Sequence, residues 1–426
     1  MGDLRAQLRR SPRLWSWRAF IIVFCLTLAT LSSRAAIVAS ARSSNAELAL
    51  RLDPDDPIAL ANMADQRITS SAASDPGQLR SQGRAISGLA QHSLRAQAVN
   101  ARAFKVLGYI AELEKGPDAA ERLMSMSSRM SRRELGTNLW LIERNVNKGD
   151  MDRVLAQYDV SLRSIADSRQ ILFPLLTSAL EDASIQAAFA PYLKAQPNWL
   201  PAFLSYAIGA SDRPSDIARA LKRGGGMPKG DDFKGLDTYL LARLGAKAEY
   251  AAALHYYLEL PGADRALPQS VSFDKASTDP RFTPVTWLLP STGSFSVAFE
   301  LPENGSGQEL RALIPAGERG IAARKLIALA AGQYDFLDRR RDVQASDGEL
   351  HWELRCIHGQ DAPLIWSAPA SGPKVRPAGP DIPADCPIQL LDLVGSGGSG
   401  STGLEVTIGE IRLERRPKNV TDRTRT

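Results

Sequence analysis

Three textures of apolar and polar residues follow one another along the chain. Residues 19–31, AFIIVFCLTLATL, form an uncharged apolar run. From residue 45 to about 280 apolar positions recur at three and four, Ala and Leu dominate, and β-branched residues are sparse. That is the period of helices burying one face. From Phe282 onward, short runs alternate apolar with polar between turn residues, the period of strands with one face in a core. The pattern predicts an α+β multidomain chain: a basic tail at 1–18, a membrane helix at 19–41, helical hairpins at 45–280, an antiparallel β-sandwich at 281–416, and a basic tail at 417–426.

Punctuation marks the hairpins. Asp53-Pro54-Asp55-Asp56-Pro57 ends one helix and opens another, because proline cannot continue a helix but suits its first turn. Asn147-Lys148-Gly149-Asp150 stops a helix over 138–146 and caps one over 151–163. Further helices are expected over 170–180, 183–193, 199–209, 216–222 (ended by Gly224-Gly225-Gly226), 233–244 and 247–258. An internal repeat is visible: ALRLDPDDPIALANMA (Ala49–Ala64) aligns without gaps on SLRAQAVNARAFKVLG (Ser93–Gly108). These residues resemble the tetratricopeptide repeat, whose hairpins pack small residues on large ones and often join through an LDP turn. The resemblance implies an α-solenoid with a concave face that binds protein. The two copies begin 44 residues apart, against about 34 in that family, so Thr69–Gly83 reads as an inserted loop. The aromatics from Trp140 to Tyr257 read as packing between helices.

In the predicted sandwich, Phe295, Val297, Phe299 and Leu301 share an inward face. So do Leu350, Trp352, Leu354 and Cys356, and Tyr334 with Phe336. Leu404, Val406 and Ile408 alternate, then the phase slips at Gly409 to Ile411 and Leu413, as a β-bulge would produce. Alternation puts Trp287 with Val285 and Leu289, and Trp366 with Leu364, on inward faces. His351, Glu353 and Arg355 form an outward polar stripe, the candidate glycan-contacting face. Ser371–Asp385 and Gly395–Gly403 read as loops. Leu404–Arg412 resembles the closing strand of jelly-roll carbohydrate-binding modules. Phe282-x-Pro284-x-x-Trp287, Gly332-x-Tyr334 and the Cys356/Cys386 pair are similar to C-terminal domains of tetratricopeptide-type envelope proteins of bacterial exopolysaccharide systems.

The net charge of +5 changes the picture only through its distribution. Arg5, Arg9, Arg10, Arg13 and Arg18 precede the apolar run, and Arg415, Arg416, Lys418, Arg423 and Arg425 close the chain, which leaves the body slightly acidic. A nucleic-acid partner requires a basic folded surface and is not expected. The apolar run reaches spanning length when extended past Arg34 to AAIVAS, with Trp15 and Trp17 at one interface. Arginines before the run place the N-terminus in the cytoplasm and the body in the periplasm of a bacterial inner membrane. Ala39-Ser40-Ala41 supports the rival reading, a cleaved signal peptide. Either way the body is exported, and Cys356 and Cys386, its only cysteines, are expected to form a disulfide. Two buried free thiols, or a zinc site with His358 that lacks a fourth ligand, are the alternatives.

No catalytic, cofactor or metal residues are assigned. Gly395-Ser396-Gly397-Gly398-Ser399-Gly400 fits a nucleotide-loop pattern but precedes a strand instead of a helix. Carboxylates are plentiful and none is marked by a motif. The expected function is a periplasm-facing, membrane-attached scaffold for assembly or export of an envelope polysaccharide, with a protein partner on the repeats and a protein or glycan on the sandwich. A glycan-active hydrolase or lyase, or a general envelope-assembly factor, is the alternative.

Overall fold

The computed structural model describes residues 12–74, 76–290, 295–302, 307–341, 347–359, 361–370, 378–399 and 403–417. Residues 1–11 and 418–426, most of the two basic tails, lie outside the described residues, as do 371–377 and 400–402 of the expected loops. The architecture is α+β: helices to residue 259, then strands from 296. The chain divides into two compact units, Met1–Leu172 and Phe173–Thr426.

In the first unit, helix α1 (Pro12–Ser44) is continuous through 33 residues. The described residues leave its apolar surface uncovered, with Phe20, Ile22 and Leu26 all largely exposed. Its last turns are different. Val38 and Ala41 are buried with Ala46 and Ala49 of α2 (Ala46–Leu52) and Ala59 of α3 (Pro57–Ser74). Asn62 Nδ2 donates to the Arg42 carbonyl (2.5 Å), and the Arg34 guanidinium to the Leu52 carbonyl. Helix α2 therefore doubles back along α1, and α3 runs beside it.

Hairpins follow: α3 with α4 (Pro76–Ala96), α5 (Ala101–Lys115) with α6 (Pro117–Met130), and α7 (Leu135–Asn147) with α8 (Met151–Ser164). Asn100 and Asp150 cap α5 and α8, their side chains accepting from Ala103 N (3.2 Å) and Arg153 N (3.1 Å). Small residues permit the close packing: a Cβ on Gly108 would stand 2.9 Å from Met124 across the α5–α6 interface. The described residues of the expected loop at Thr69–Gly83 are helical instead, through Ser74 in α3 and from Pro76 in α4. Its Ala, Gln, Arg and Ser residues tolerate a helix, and Pro76 opens one, so the extra length of the repeat is spent on longer helices.

Helix α9 (Ser168–Ala179) begins in the first unit and ends in the second, where helices α10 (Ala183–Ala195), α11 (Leu200–Ala210), α12 (Pro214–Gly224), α13 (Leu236–Ala246) and α14 (Tyr250–Glu259) precede nine strands among the described residues. Strands β1 (Ser296–Glu300), β2 (Glu309–Ile314), β9 (Leu404–Arg415), β4 (Gly332–Arg341) and β7 (Asp381–Ile382) form one sheet in that order. Strands β3 (Arg319–Ile327), β8 (Gln389–Ser396), β5 (Glu349–Cys356) and β6 (Leu364–Pro369) form the other. All pairings are antiparallel, and residues of both sheets share one core that includes Trp287, Trp352, Phe336 and Val406.

Particular strand expectations divide. The bulge at Gly409 is present: Arg339 faces Glu410 and Arg340 faces Ile408, leaving Gly409 unopposed. Gly395-Ser396 belongs to β8 instead of a loop, and a Cβ on Gly395 would stand 2.0 Å from Ile314 of the facing sheet. Close sheet packing accounts for that glycine. Leu301 is 80% exposed, since β1 ends at Glu300 and alternation no longer applies. Leu364 is exposed while Trp366 packs on Phe336, because a bulge at Ile365 separates their faces.

Candidate binding surfaces

The predicted stripe lies on β5, where Leu350, Trp352, Leu354 and Cys356 point into the core and His351, Glu353 and Arg355 point outward. The stripe is engaged with itself. Arg355 Nη2 donates to Glu353 Oε2 (2.6 Å) and Nη1 to the Ala362 carbonyl (3.3 Å), while His351 Nε2 stands 3.2 Å from Glu349 Oε2. Glu353 sits opposite Asp392 of β8, which is buried and held by Arg324 of β3 through two bonds of 2.7 and 2.8 Å. Arg324 also donates to the Tyr250 hydroxyl of α14 (3.1 Å), so a helix covers the β3–β8 half of this face. Both carboxylates of the row thus already have arginine partners. The three tryptophans of the sandwich offer no stacking platform beside the stripe: Trp287 and Trp352 are buried, and the Trp366 indole donates to the Ala378 carbonyl (2.8 Å).

The structure supplies a second surface that the sequence did not reveal. A cleft of about 550 Å³ lies at one end of the sandwich, between Ala328–Ala331, the Ala384–Pro387 turn and the Arg415 end of β9, within the size range of small-ligand sites. Its walls are held from behind. Gln389, buried in β8, accepts from Leu329 N (2.9 Å) and donates to Leu329 O (3.3 Å) and Cys386 O (2.5 Å). The Tyr334 hydroxyl donates to the Ala330 carbonyl (2.9 Å), and Arg415 Nη2 to that of Ala331 (2.6 Å). Cys386 lines the cleft and is bonded to Cys356, with sulfurs 2.01 Å apart. Such a cleft is lined by apolar side chains such as Leu329, Pro387 and Leu413 together with the polar Gln269, Tyr334 and Arg415, and has little backbone freedom left to lose on binding. The one signal in the sequence was Gln389, an amide among the apolar residues of a buried strand.

His358 Nε2 lies 3.7 Å from Cys356 Sγ and 3.2 Å from the Asp385 carbonyl. With Cys356 and Cys386 in a disulfide, neither sulfur is a thiolate for zinc, which removes the metal alternative at this triad. In the first unit, the facing side chains of α3, α5 and α7 cross-link one another. Lys105 Nζ is 2.9 Å from Asp65 and 3.2 Å from Glu134, and Arg102 is 3.1 Å from Glu134. The Tyr109 hydroxyl donates to the Gly136 carbonyl (3.2 Å) and is pushed up to about 12 by burial and by Asp65, Glu112, Glu134 and Glu143. Trp140 Nε1 donates to Glu112 (2.8 Å).

Lys325, in the midst of β3, is also buried and was not singled out by its pattern. Among the described residues its ammonium donates to the Val285 carbonyl alone (2.8 Å), and burial pulls it down to about 7 despite the opposing charge of Asp274. No protein-family model matches the chain, and none of the curated proteins is significantly similar to it.

Proposed function

We propose that this chain is a membrane-attached scaffold with an extracytoplasmic body, which binds a protein partner on its helical hairpins and a cell-envelope polysaccharide segment on its sandwich. The observation that carries the attachment is the continuity of α1 with the first hairpin: Val38 and Ala41 are each 6% exposed in a core shared with α2 and α3. Cleavage after Ala41 would strip both side chains and the Arg34–Leu52 bond from that core, so α1 is a retained anchor. The preformed cleft supports binding on the sandwich. The polysaccharide rests on the resemblance carried by Phe282, Pro284, Trp287, Gly332, Tyr334 and the cysteine pair.

Intact-mass measurement of protein purified from membranes is expected to show a chain that still contains residues 1–41. A mature form beginning at Arg42 refutes the anchor. An alkaline phosphatase fusion to the C-terminus is expected to be active, and an inactive fusion with a fluorescent cytoplasmic one refutes the topology. For the ligand, the full-length chain in detergent is titrated calorimetrically with oligosaccharides cut from the host's own envelope polysaccharide. Binding that falls at least tenfold in Arg415→Ala, and not in Glu353→Gln, assigns the cleft. Loss only in Glu353→Gln returns the site to the strand face, and no heat with either removes the glycan from the proposal. Chain shortening that vanishes in one carboxylate-to-amide variant would establish the enzyme alternative instead.

A further inference from the structure

We infer that one end of the helical unit, formed by the α4–α5, α6–α7 and α8–α9 turns, is a membrane-contacting face that binds the headgroups of anionic phospholipids. This rests on α1 being a membrane span. Because α1 is unbroken from Pro12 to Ser44, it carries the position of the bilayer into the folded unit. At about 1.5 Å per residue, Trp15 and Arg34 lie about 28 Å apart along the axis, close to the thickness of a hydrocarbon core. Arg34 therefore stands at headgroup level, and its bond to the Leu52 carbonyl places the end of α2 there too.

Hydrogen bonds then tie the same ends of the successive hairpins into a row. Ser93 Oγ and Asn100 Nδ2 both donate to the Pro57 carbonyl, at 2.6 and 3.2 Å. Ser127 Oγ, near the end of α6, donates to the Ala101 carbonyl (2.8 Å), and Ser164 Oγ, at the end of α8, to that of Arg132 (3.0 Å). The turns in this row carry Arg95, Arg129, Arg132, Arg133 and Arg169, all exposed and none in an ion pair among the described residues. Arg163 is bound to Asp159 (2.7 Å). Val99, 66% exposed, stands beside Arg95 on the α4–α5 turn.

The carboxylates at this end are mostly engaged. Glu134 is held by Arg102 and Lys105, Asp55 pairs with His92 (3.0 Å), and Asp56 caps α3 by accepting from Ala59 N (2.7 Å). Asp53 and Asp167 remain as counter-charges. At the opposite ends of the same hairpins acidic and basic side chains are interleaved: Arg144 pairs with Asp118 and Glu121, Lys148 with Glu121, and Arg153 with Asp150, while Arg80 and Lys115 are exposed and in no ion pair among the described residues. Five unpaired guanidinium groups with an exposed valine at the tethered end, against charges of both signs interleaved at the free end, fit a plane of phosphates on the tethered side.

The test uses the full-length chain with Cys25→Ser, its disulfide intact, in nanodiscs of phosphatidylcholine alone or mixed with phosphatidylglycerol. A polarity-sensitive probe is placed through Gln97→Cys at the tethered end or Asp152→Cys at the free end. Acrylamide quenching at 97 is expected to fall severalfold when phosphatidylglycerol is present, with no change at 152. Each arginine contributes on the order of fivefold to docking, so Arg129→Glu with Arg132→Glu and Arg133→Glu is expected to abolish the protection at unchanged circular dichroism. Equal quenching at 97 in the two lipids, or protection that survives the triple reversal, overturns the inference. A carbonate wash of matching vesicles separates the premises: a chain that stays bound while position 97 ignores lipid charge refutes only the lipid-contacting face. A chain that washes off refutes the span and this inference with it.

Discussion

Breaking the Cys356–Cys386 bond is expected to lower the stability of the sandwich by about 3.5 kcal/mol, from the loop-closure entropy of a cross-link across 30 residues. The bond ties the end of β5 to the turn before β8, two strands that pair from Glu349–Ser396 to Cys356–Gln389. Both cysteines are 1% exposed, so alanine, which adds no buried hydroxyl, is the appropriate replacement. Hydrogen exchange of the β5 and β8 amides in the full-length chain is the measurement. Protection in Cys356→Ala/Cys386→Ala is expected to drop by about two to three orders of magnitude, and reductant is expected to do the same to the native chain but nothing to the variant. Identical exchange with and without reductant would show that Gln389 and the strand ladder hold this end of the sandwich unaided. The same experiment bears on binding, because Cys386 lines the cleft and Gln389 fixes the Leu329 backbone that walls it.

What could be read from the sequence was whatever a single period or a single turn residue determines. Asp150 and Gly149 marked a helix start that the structure places there, because the cap is a local interaction between neighbours in sequence. Gly409 marked a bulge because one extra residue shifts the phase of an otherwise strict alternation. The bulge at Ile365 left no such trace: β6 is six residues long, too short to show a phase on both sides. The helical character of Thr69–Gly83 was hidden by serine and glycine, which suggest a loop locally but are tolerated once hairpin packing decides. The cleft was invisible for a different reason. Its walls come from residues near 269, 330, 386 and 415, which only the crossing connections of the sandwich bring together. The stripe His351, Glu353 and Arg355 was placed correctly on the outer face, but alternation says nothing about partners. The structure spends Glu353 on Arg355 and covers the neighbouring Asp392 with Arg324.

Lys325 is where a buried charge and the fold are most directly opposed, and it makes the stability of the sandwich depend on pH. In the folded chain burial draws its amine down to about 7, whereas the unfolded chain keeps the ordinary value of 10.5. Between those limits the unfolded state binds a proton that the folded state does not, so stability rises with pH across that window, by up to about 1.4 kcal/mol per unit. Below about 7 both states are protonated and the penalty is constant. Lys325→Met keeps the length of the side chain and removes the charge, at the cost of the bond to the Val285 carbonyl. At pH 7 the variant is expected to be more stable by about 2–3 kcal/mol, since the desolvation penalty exceeds one hydrogen bond. That advantage should shrink steadily as pH rises and vanish or reverse near pH 10. Urea unfolding of both chains across this range, with exchange of the β3 amides as the local readout, measures the difference directly and cancels the titration of every other group. Parallel curves for the two chains would mean that Lys325 stays charged in the fold, with Asp274 as its effective partner in place of the Val285 carbonyl.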